Sequence, residues 1–344
     1  MKFQLVINIS RSNNSTDMQT LLKHTLEMVQ MADEGGFEIV WAAEHHALEL
    51  TIAPNPFQLL TWYAANTNQI RLGTAVVIAP YWHPIRLAGE AAMLDQISGG
   101  RLEFGIGSGA YQREFDRILP GVSQSEGHEY MHELLPAVQK LWQGDYEHNG
   151  KFWSFPTSTS VPKPFQQPHP PLWIAARAPV TYDFAVQHGC NIISWALTKP
   201  FSEVADYKTR FEDALAKFPD AQRPLFCTMR HTCVYDNIKQ ADVPVDATIR
   251  QAKRFENLFK NIGTVTNGFP ETIDLEDLKQ NNEFDRDSLH ENLIFGTPPQ
   301  VIEKLKRYEA LGVDQFTYNS TFDLDVVFQK RSLELFIKEV MPAF

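Results

Sequence analysis

Short apolar runs alternate with helix-like patterns eight times along the chain, and this alternation restricts the possible folds more than any other feature. The runs predicted to be strands cover residues 3–9, 39–41, 70–79, 101–109, 172–176, 191–197, 225–235 and 313–318. The patterns between them predict helices over 20–35, 56–68, 84–98, 128–142, 182–188, 204–218, 245–262 and 299–311, with a terminal helix that ends at 336. Such an alternation over 344 residues predicts an α/β fold, a (β/α)8 TIM barrel with insertions, and a doubly wound parallel sheet is the alternative.

Two segments interrupt the alternation. Residues 146–155, with Asn149-Gly150 at their centre, have the pattern of an exposed β-hairpin, and a proline-rich connector follows at 161–171. Residues 263–292 are polar, acidic and weakly periodic, which is typical of a lid. We therefore predict a single barrel domain over residues 1–344, with a hairpin insertion at about 146–170 and a lid-like insertion at about 263–292.

Charge and cysteine content exclude several classes of protein. The 42 acidic residues outnumber the 31 basic residues, and the net charge of −11 leaves no basic surplus for binding nucleic acid. Three cysteines without a CxxC pair predict no disulfide framework, which favours a reduced, cytoplasmic setting. We expect no membrane association, because no window approaches about 18 consecutive apolar residues and the N-terminus lacks a signal-peptide pattern.

The end of the second predicted strand carries Glu44, His45 and His46. Adjacent side chains on a strand point to opposite faces, so this spacing disfavours a metal site, and we predict no bound metal. An inward-facing His45 suits proton transfer near neutral pH, and a structural histidine bonded to a loop carbonyl is the alternative.

Two later strand ends suggest ligand contacts. Residues 105–109 read GIGSG, which lacks the GxGxxG spacing of a dinucleotide loop but lets a flat ligand approach the backbone; a tight turn is the alternative. Arg177 precedes a predicted helix start at Thr181, a pattern that suits a phosphate, or else an N-cap beside a surface arginine.

Three segments of the chain resemble a known family. They are FEIVWAAEHH at 37–46, RLGTAVVIAPYWHPIRLAGEAAMLDQISGGRLEFGIGSGAY at 71–111 and FGTPPQVIEKLKRYEALGVDQF at 295–316. In this order they resemble the bacterial luciferase-like family of flavin-dependent monooxygenases, and the similarity extends almost from end to end.

This resemblance implies a TIM barrel that binds FMN, supplied in reduced form by a separate flavin reductase. Reduced flavin and O2 would form a C4a-peroxyflavin that oxidises a small apolar or carbonyl-containing substrate in a pocket closed to water. A homodimer formed through the helices after strands 2 and 3 is implied by the same analogy. The segment 263–292 lies where members of the family carry a mobile loop.

The resemblance also assigns residues to roles. His45 would be the catalytic residue that assists proton transfer beside the flavin. Ala75-Val76 would form a non-prolyl cis peptide behind the flavin ring. The cofactor-binding residues implied are Ala75, Val76, Gly107, Ser108, Gly109, Tyr130, Arg177, Ala178, Thr181, Ser194 and Trp195.

The sequence departs from luciferase itself at two positions. The light-emitting subunit has a Cys-Arg pair where Gly107-Ser108 stand, and a second phosphate-binding arginine where Tyr130 stands. Arg177 is therefore the main candidate for the phosphate, and a non-luminescent monooxygenase is favoured. A deazaflavin- or flavin-dependent dehydrogenase or reductase on the same scaffold and a non-catalytic flavin-binding protein are the alternatives.

Overall fold

The computed structural model describes residues 1–275 and 282–344, and its centre is a barrel of eight parallel strands. The barrel strands are β1 (Lys2–Val6), β2 (Ile39–Ala42), β3 (Arg71–Thr74), β4 (Leu102–Gly107), β5 (Leu172–Ala175), β6 (Asn191–Trp195), β7 (Phe226–Val234) and β8 (Gln315–Asn319). The last strand closes the ring, because Gln315 of β8 is in register both with Lys2 of β1 and with Cys227 of β7. The predicted TIM barrel is confirmed. The doubly wound alternative is wrong, because an open sheet has two edge strands, whereas each of these eight strands pairs with a neighbour on both sides.

Helices surround the barrel. They are α1 (Met18–Glu34), α2 (Pro56–Ala65), α3 (Pro84–Ile97), α4 (Gln112–Ile118), α5 (Gly127–Gln143), α6 (Pro179–Gln187), α7 (Phe201–Lys217), α8 (Asp242–Lys260), α9 (Arg286–Asn292), α10 (Pro298–Ala310) and α11 (Val326–Leu335). Local signals fix several starts: Asn55 accepts a hydrogen bond from the Phe57 amide, and Pro56 occupies the first helical position of α2. Among the described residues no helix is both long and apolar enough to cross a membrane.

The barrel interior is filled below its open end. Trp41 and Trp173 meet edge to face with their ring centroids 5.1 Å apart. Gln4 accepts hydrogen bonds from the indole N–H of Trp41 at 2.8 Å and from the Thr317 hydroxyl at 2.7 Å, and Glu103 accepts one from the Trp173 indole at 2.6 Å. This buried layer forms a floor, so ligands reach the barrel only from the carboxyl ends of the strands.

The third predicted strand, 70–79, is interrupted rather than continuous. β3 ends at Thr74, the Ala75–Val76 peptide is cis, and a short strand at Val77–Ile78 resumes pairing with β4. At this point the Thr74 hydroxyl replaces the backbone hydrogen bonds between β3 and β4. It donates to the Gly105 carbonyl at 2.7 Å and accepts from the Gly105 amide at 2.8 Å. The chain therefore bulges at this strand end.

The two interruptions of the alternation differ in regularity. The predicted hairpin is present as Tyr146–Asn149 paired with Ser154–Ser158. Within 263–292 the structure contains more regular elements than predicted, namely a small hairpin of Val265–Thr266 and Phe269–Pro270 and the helix α9. Residues 276–281 of this segment lie outside the described part of the chain.

Candidate active site at the barrel mouth

His45 follows β2 at the mouth of the barrel and is held in one orientation. Its backbone amide donates to the Ala53 carbonyl at 3.2 Å, and its ring stacks on Tyr111 with the centroids 4.9 Å apart. Its Nδ1 lies 3.0 Å from Oε2 of Glu114, and its side chain is 15% exposed. No other described residue hydrogen-bonds the ring, so Nε2 is the nitrogen left for a ligand.

Glu114, on α4, is the functional residue that the sequence analysis missed. Its side chain is completely buried, and its second oxygen accepts the His46 backbone amide at 2.6 Å. A buried carboxylate at Nδ1 fixes a neutral His45 as the tautomer with its proton on Nδ1. The available signal was weak, since α4 is a seven-residue helix that the periodicity did not predict.

The neighbouring pair of Glu44 and His46 has a structural role. One oxygen of the buried Glu44 lies 2.7 Å from His46 Nε2, and the other accepts the Ile78 amide at 2.7 Å and the Trp82 indole at 2.8 Å. Burial lowers the pKa of His46, but the hydrogen bond and charge of Glu44 outweigh it, and the pKa is raised overall. Each histidine thus faces its own carboxylate, and the described residues contain no cluster of three metal-ligating side chains.

A wall of glycine backbone lies against the bulge after β3. A Cβ at Gly107 would come within 2.5 Å of Val76 Cγ2, and Gly109 has a φ of +90° that favours glycine. The structure therefore brings five of the predicted cofactor residues to one side of the mouth. They are Ala75, Val76, Gly107, Ser108 and Gly109.

The predicted phosphate end lies at the start of α6. Arg177 is exposed, with its guanidinium 5.5 Å from the centre of the Phe259 ring, and it forms no ion pair within the described residues. Ala178 is the N-cap of α6 and offers no side-chain cap, and Thr181 lies in the first turn. An unpaired arginine beside an uncapped helix start suits an anion.

Ser194 and Tyr130 are placed differently from the other predicted residues. The Ser194 hydroxyl is buried behind β6, where it donates to the Ala176 carbonyl at 2.8 Å and lies 2.7 Å from the Tyr182 hydroxyl. A contact of Ser194 with the cofactor would therefore come from its backbone. The Tyr130 ring stacks on Phe152 of the hairpin at 3.7 Å, so its contact with a phosphate stays a prediction.

A chain of aromatic rings crosses the mouth from His45 to the opposite strands. Tyr111 meets Phe255 of α8 at 6.3 Å, Phe255 meets Trp195 at 5.7 Å, and Trp195 meets His231 at 5.8 Å. The sequence analysis assigned His231 no role. These rings make the mouth an environment that excludes water.

Several buried polar atoms at this mouth have no partner among the described residues. They are Asn8 Oδ1, Trp195 Nε1 and both ring nitrogens of His231. Burial, with a contribution from the neighbouring Arg230, lowers the pKa of His231 to about 3, so this imidazole is neutral at physiological pH. Because buried polar groups are normally paired, these atoms point to a bound ligand. Together with the glycine wall and Arg177 they fit a flat ring with a phosphorylated tail.

Comparisons with known proteins agree with this geometry. The sequence model of the family described as luciferase-like monooxygenase matches residues 1–315. The oxygenase component of the flavin-dependent trigonelline monooxygenase of Acinetobacter baylyi is 41% identical over 344 residues, which cover all of this chain and 96% of that protein.

Two solved structures share the fold over nearly their whole length. Monooxygenase RslO1 from Streptomyces bottropensis superposes with a TM-score of 0.84 at 23% identity, covering 99% of both chains. The oxygenating constituent of 3,6-diketocamphane monooxygenase from Pseudomonas putida, solved in complex with FMN, has a TM-score of 0.79 at 19% identity and covers 99% of this chain and 98% of its own.

Proposed function

This chain belongs to the luciferase-like monooxygenase family, and on that basis we propose that it is the oxygenase component of a two-component, FMN-dependent monooxygenase. It is a flavin-dependent oxidoreductase, as its family is. One observation carries the proposal: the mouth that holds the His45–Glu114 pair also has a glycine wall and an arginine that forms no ion pair with any described residue. A separate flavin reductase would supply the reduced cofactor, as the words "oxygenase component" imply for the relative.

The residues at the mouth divide the binding of FMN between them. Arg177 and the start of α6 would hold the phosphate, while the Ala75–Val76 bulge and the backbone of Gly107 to Gly109 would lie along the ring. When bound there, reduced FMN would supply the two electrons for activating O2, one atom of which enters the substrate while the other leaves as water. The surrounding aromatic rings exclude bulk water from the reacting atoms.

His45 would move a proton at Nε2. Because Nδ1 donates to Glu114, the neutral ring presents a lone pair at Nε2 and can accept a proton from the reacting group. The protonated ring, stabilised by the Glu114 carboxylate, can then return that proton to an oxygen atom. The aromatic stacking on Tyr111 fixes the plane in which this exchange takes place.

The substrate that we infer is small and carries a carbonyl or carboxylate group. The relative from Acinetobacter is named for trigonelline, which is a single pyridinium ring with a carboxylate. Since that relative matches over the whole chain, trigonelline is the first compound to assay. A deazaflavin-dependent dehydrogenase and a non-catalytic flavin-binding protein are the competing functions. The whole-length match to a monooxygenase supports the proposed function over both of them.

Three further features belong to this proposal. We expect the chain to work as a single domain. We also expect the segment 263–292 to cover the mouth, since Phe284 borders the aromatic rings and the Gly268 carbonyl accepts a hydrogen bond from the Glu49 amide at 2.7 Å.

A cytoplasmic location suits an enzyme that depends on a reductase and keeps three buried free thiols. We also expect a homodimer through α2 and α3.

FMN binding and oxygen consumption test the proposal. Arg177→Ala should weaken FMN by at least roughly 10-fold while riboflavin binding changes little, because only FMN carries the phosphate. Arg223→Ala is the matched control, since Arg223 pairs with Asp314 near the opposite end of the barrel. With a flavin reductase, NADH and trigonelline, we expect uptake of O2 and incorporation of one labelled oxygen atom.

Equal losses of FMN and riboflavin in Arg177→Ala would place the phosphate elsewhere. Anaerobic hydride transfer to a deazaflavin, without incorporation of oxygen, would support the dehydrogenase instead. Tight binding of FMN without turnover of any carbonyl compound would support the non-catalytic alternative.

A further inference from the structure

An ion pair joins the loops that follow β1 and β2 at the mouth of the barrel. Arg11 Nε donates to one carboxylate oxygen of Glu49 at 2.7 Å, and Arg11 Nη2 donates to the other. The Arg11 backbone amide also donates to the Glu49 carbonyl at 2.9 Å. The two side chains are only 19% and 17% exposed, and a bidentate pair of this kind fixes the relative position of two segments.

The same pair contacts the turn of the small hairpin that precedes α9. The Glu49 backbone amide donates to the Gly268 carbonyl at 2.7 Å, and the Arg11 guanidinium lies 5.6 Å from the centre of the Phe269 ring. Asn267 and Gly268 have positive φ angles of 50° and 84°, which is the backbone of a two-residue turn between paired strands. Three segments that are distant in sequence therefore meet at one ion pair.

The loop 47–53 connects this pair to His45. It folds back so that the Ala53 carbonyl accepts a hydrogen bond from the His45 amide at 3.2 Å. Within the loop, Ala47 and Thr51 have positive φ angles of 54° and 62°. A β-branched residue rarely adopts this conformation, which persists only where surrounding contacts hold it, and the ion pair supplies such a contact in the middle of the loop. Displacement of the loop would therefore displace His45.

Apolar packing beside the imidazole depends on the same loop. Leu48 and Leu50, on either side of the paired glutamate, are buried in one cluster with Tyr111, and Val265 of the hairpin packs against it. Tyr111 is the ring on which His45 stacks. The loop and the hairpin thus shield this side of the site from water.

Resting on the proposed function, we propose that Arg11 and Glu49 are a positioning pair for the oxygenation reaction. Their ion pair holds the loop 47–53 against the hairpin turn on the His45 side of the mouth. This contact keeps the imidazole in place and keeps water from the reacting atoms, and neither side chain itself takes part in the chemistry.

The coupling of oxygen use to product formation is the property that this contact should control. In the coupled reaction one atom of O2 enters the substrate and the other leaves as water, whereas in the uncoupled reaction both atoms leave as H2O2. The two electrons come from reduced FMN in either case. Water that reaches the reacting atoms favours the second outcome, because it ends the reaction before the substrate is oxidised.

Hydrogen exchange of the full-length protein without flavin tests the contact itself. Arg11→Met removes one charge and keeps a stem of similar length, and Glu49→Gln removes the other charge. We expect either variant to speed exchange at least roughly 10-fold at the backbone amides of residues 45–53 and 265–269 together, because both segments lose a charge-assisted contact. The double variant Arg11→Glu with Glu49→Arg reverses the pair and should restore slow exchange in both segments.

Arg223→Met is the matched control. Arg223 likewise pairs with a carboxylate, that of Asp314 at 3.0 Å, and lies 5.3 Å from the centre of the Phe211 ring, but near the opposite end of the barrel. Its loss should leave both the exchange of residues 45–53 and 265–269 and the coupling unchanged.

Product and H2O2 are then measured with FMN, a flavin reductase, NADH and trigonelline. We expect the ratio of H2O2 to product to rise at least roughly 10-fold in Arg11→Met and Glu49→Gln and to return in the reversed pair. FMN affinity should change less than about 3-fold, because the glycine wall and Arg177 belong to other elements. Release of H2O2 without substrate, from protein loaded with reduced FMN, gives the same comparison whatever the substrate is.

Faster exchange in only one of the two segments, or equally throughout the chain, would overturn the proposal. Faster exchange with an unchanged yield of H2O2 would also overturn it, because the pair would then be structural alone. If Arg11→Met does not fold, Phe269→Leu removes only the ring beside the guanidinium and should speed exchange in the same two segments. Absence of FMN binding by the wild type refutes the proposed function, whereas the exchange measurement still decides whether the pair joins the segments.

Discussion

At the scale of single residues, the site depends on which nitrogen of His45 is free. Glu114 is buried and accepts two N–H donors, Nδ1 of His45 and the backbone amide of His46. A carboxylate can accept both, because each of its oxygens is an acceptor. The pair therefore determines the orientation of the imidazole as well as its tautomer, and Glu114 is a positioning residue.

Substitution of Glu114 by glutamine should remove the base while leaving the fold. An amide has one acceptor oxygen, so its NH2 group must face either the His46 amide or His45 Nδ1. The His46 amide can only donate, so the amide oxygen of glutamine stays with it and the NH2 group donates to Nδ1. His45 then carries its proton on Nε2 and can no longer accept one there from the reacting group. We expect kcat to fall roughly 10²-fold, the usual scale for loss of an acid–base group, with unchanged KM and FMN affinity in steady-state kinetics and flavin titration.

Glu114→Asp supplies the control for that prediction. Aspartate keeps two acceptor oxygens on a shorter stem, so kcat should recover in part. A purely structural role would be indicated if both substitutions lowered stability and FMN affinity together without a selective loss of kcat.

The His46–Glu44 pair predicts a pH-dependent contribution to stability. The pKa of His46 is raised in the folded protein, so its contribution is complete below the ordinary histidine pKa of about 6.5 and is lost as pH rises through the raised value. The difference in free energy of unfolding between wild type and His46→Gln should shrink as the pH is raised above about 6.5 in urea titrations. A constant difference over this range would mean that His46 does not titrate against Glu44.

At the scale of elements, the sequence predicted the long helices and the buried strands but not the short pieces that complete the site. Helices such as α1 and α8 have a clear apolar stripe, whereas α4 spans seven residues that include four charged side chains. His45 could be predicted from the resemblance and its strand end. Glu114 could not, because its burial results from packing between α4 and the loop after β2.

The bulge after β3 shows what periodicity alone cannot reveal. Residues 70–79 have the apolar pattern of one long strand, yet the Thr74 hydroxyl bonds both backbone groups of Gly105. This arrangement requires that position 105 has no side chain, since a Cβ there would lie 1.9 Å from the Thr74 carbonyl oxygen. The glycine is therefore required by the neighbouring backbone and not by a ligand.

Alanine at Gly105 should accordingly destabilise the protein by about 2–3 kcal/mol, because the clash is with backbone that cannot rotate away. Gly89 in α3 is the matched control: its Cβ would lie 3.7 Å from the nearest atom, and Gly89→Ala should stabilise by about 0.5–1 kcal/mol. Denaturant unfolding of both variants measures the difference. Equal effects would show that the bulge can move to accept a side chain.

At the scale of the whole molecule, strand–helix alternation and closure of the barrel follow from one another. Each helix returns the chain to the same end of the sheet, and eight such units bring β8 beside β1. The carboxyl ends then converge, which explains why residues as distant in sequence as His45, Arg177 and His231 share one mouth. Sequence patterns predicted this convergence, whereas the directions of the side chains came from the structure.

The outer surface predicts assembly of two copies. The proline-rich connector runs along α3, with the Val161 carbonyl beside Gly89 and Phe165 beside Gly100, and this face exposes Met93 and Ile97. The exposed fraction of each of these four apolar residues is about half or more: 48% for Met93, 54% for Ile97, 57% for Phe165 and 81% for Val161. Exposed apolar side chains grouped in this way on one side of a barrel are typical of an interface.

A charge placed in that face should separate the copies. We expect light scattering after size exclusion to give twice the 39.3 kDa chain mass for the wild type and the single mass for Ile97→Glu, because a buried unpaired carboxylate is costly at an interface. Val327→Glu, at an exposed apolar residue of α11, is the control and should leave the mass unchanged. If the wild type has the mass of one chain, the dimer proposal is wrong. If both variants dissociate the dimer, the interface does not lie at this face alone. Since the mouth is built within one chain, FMN affinity should be the same in the Ile97→Glu monomer.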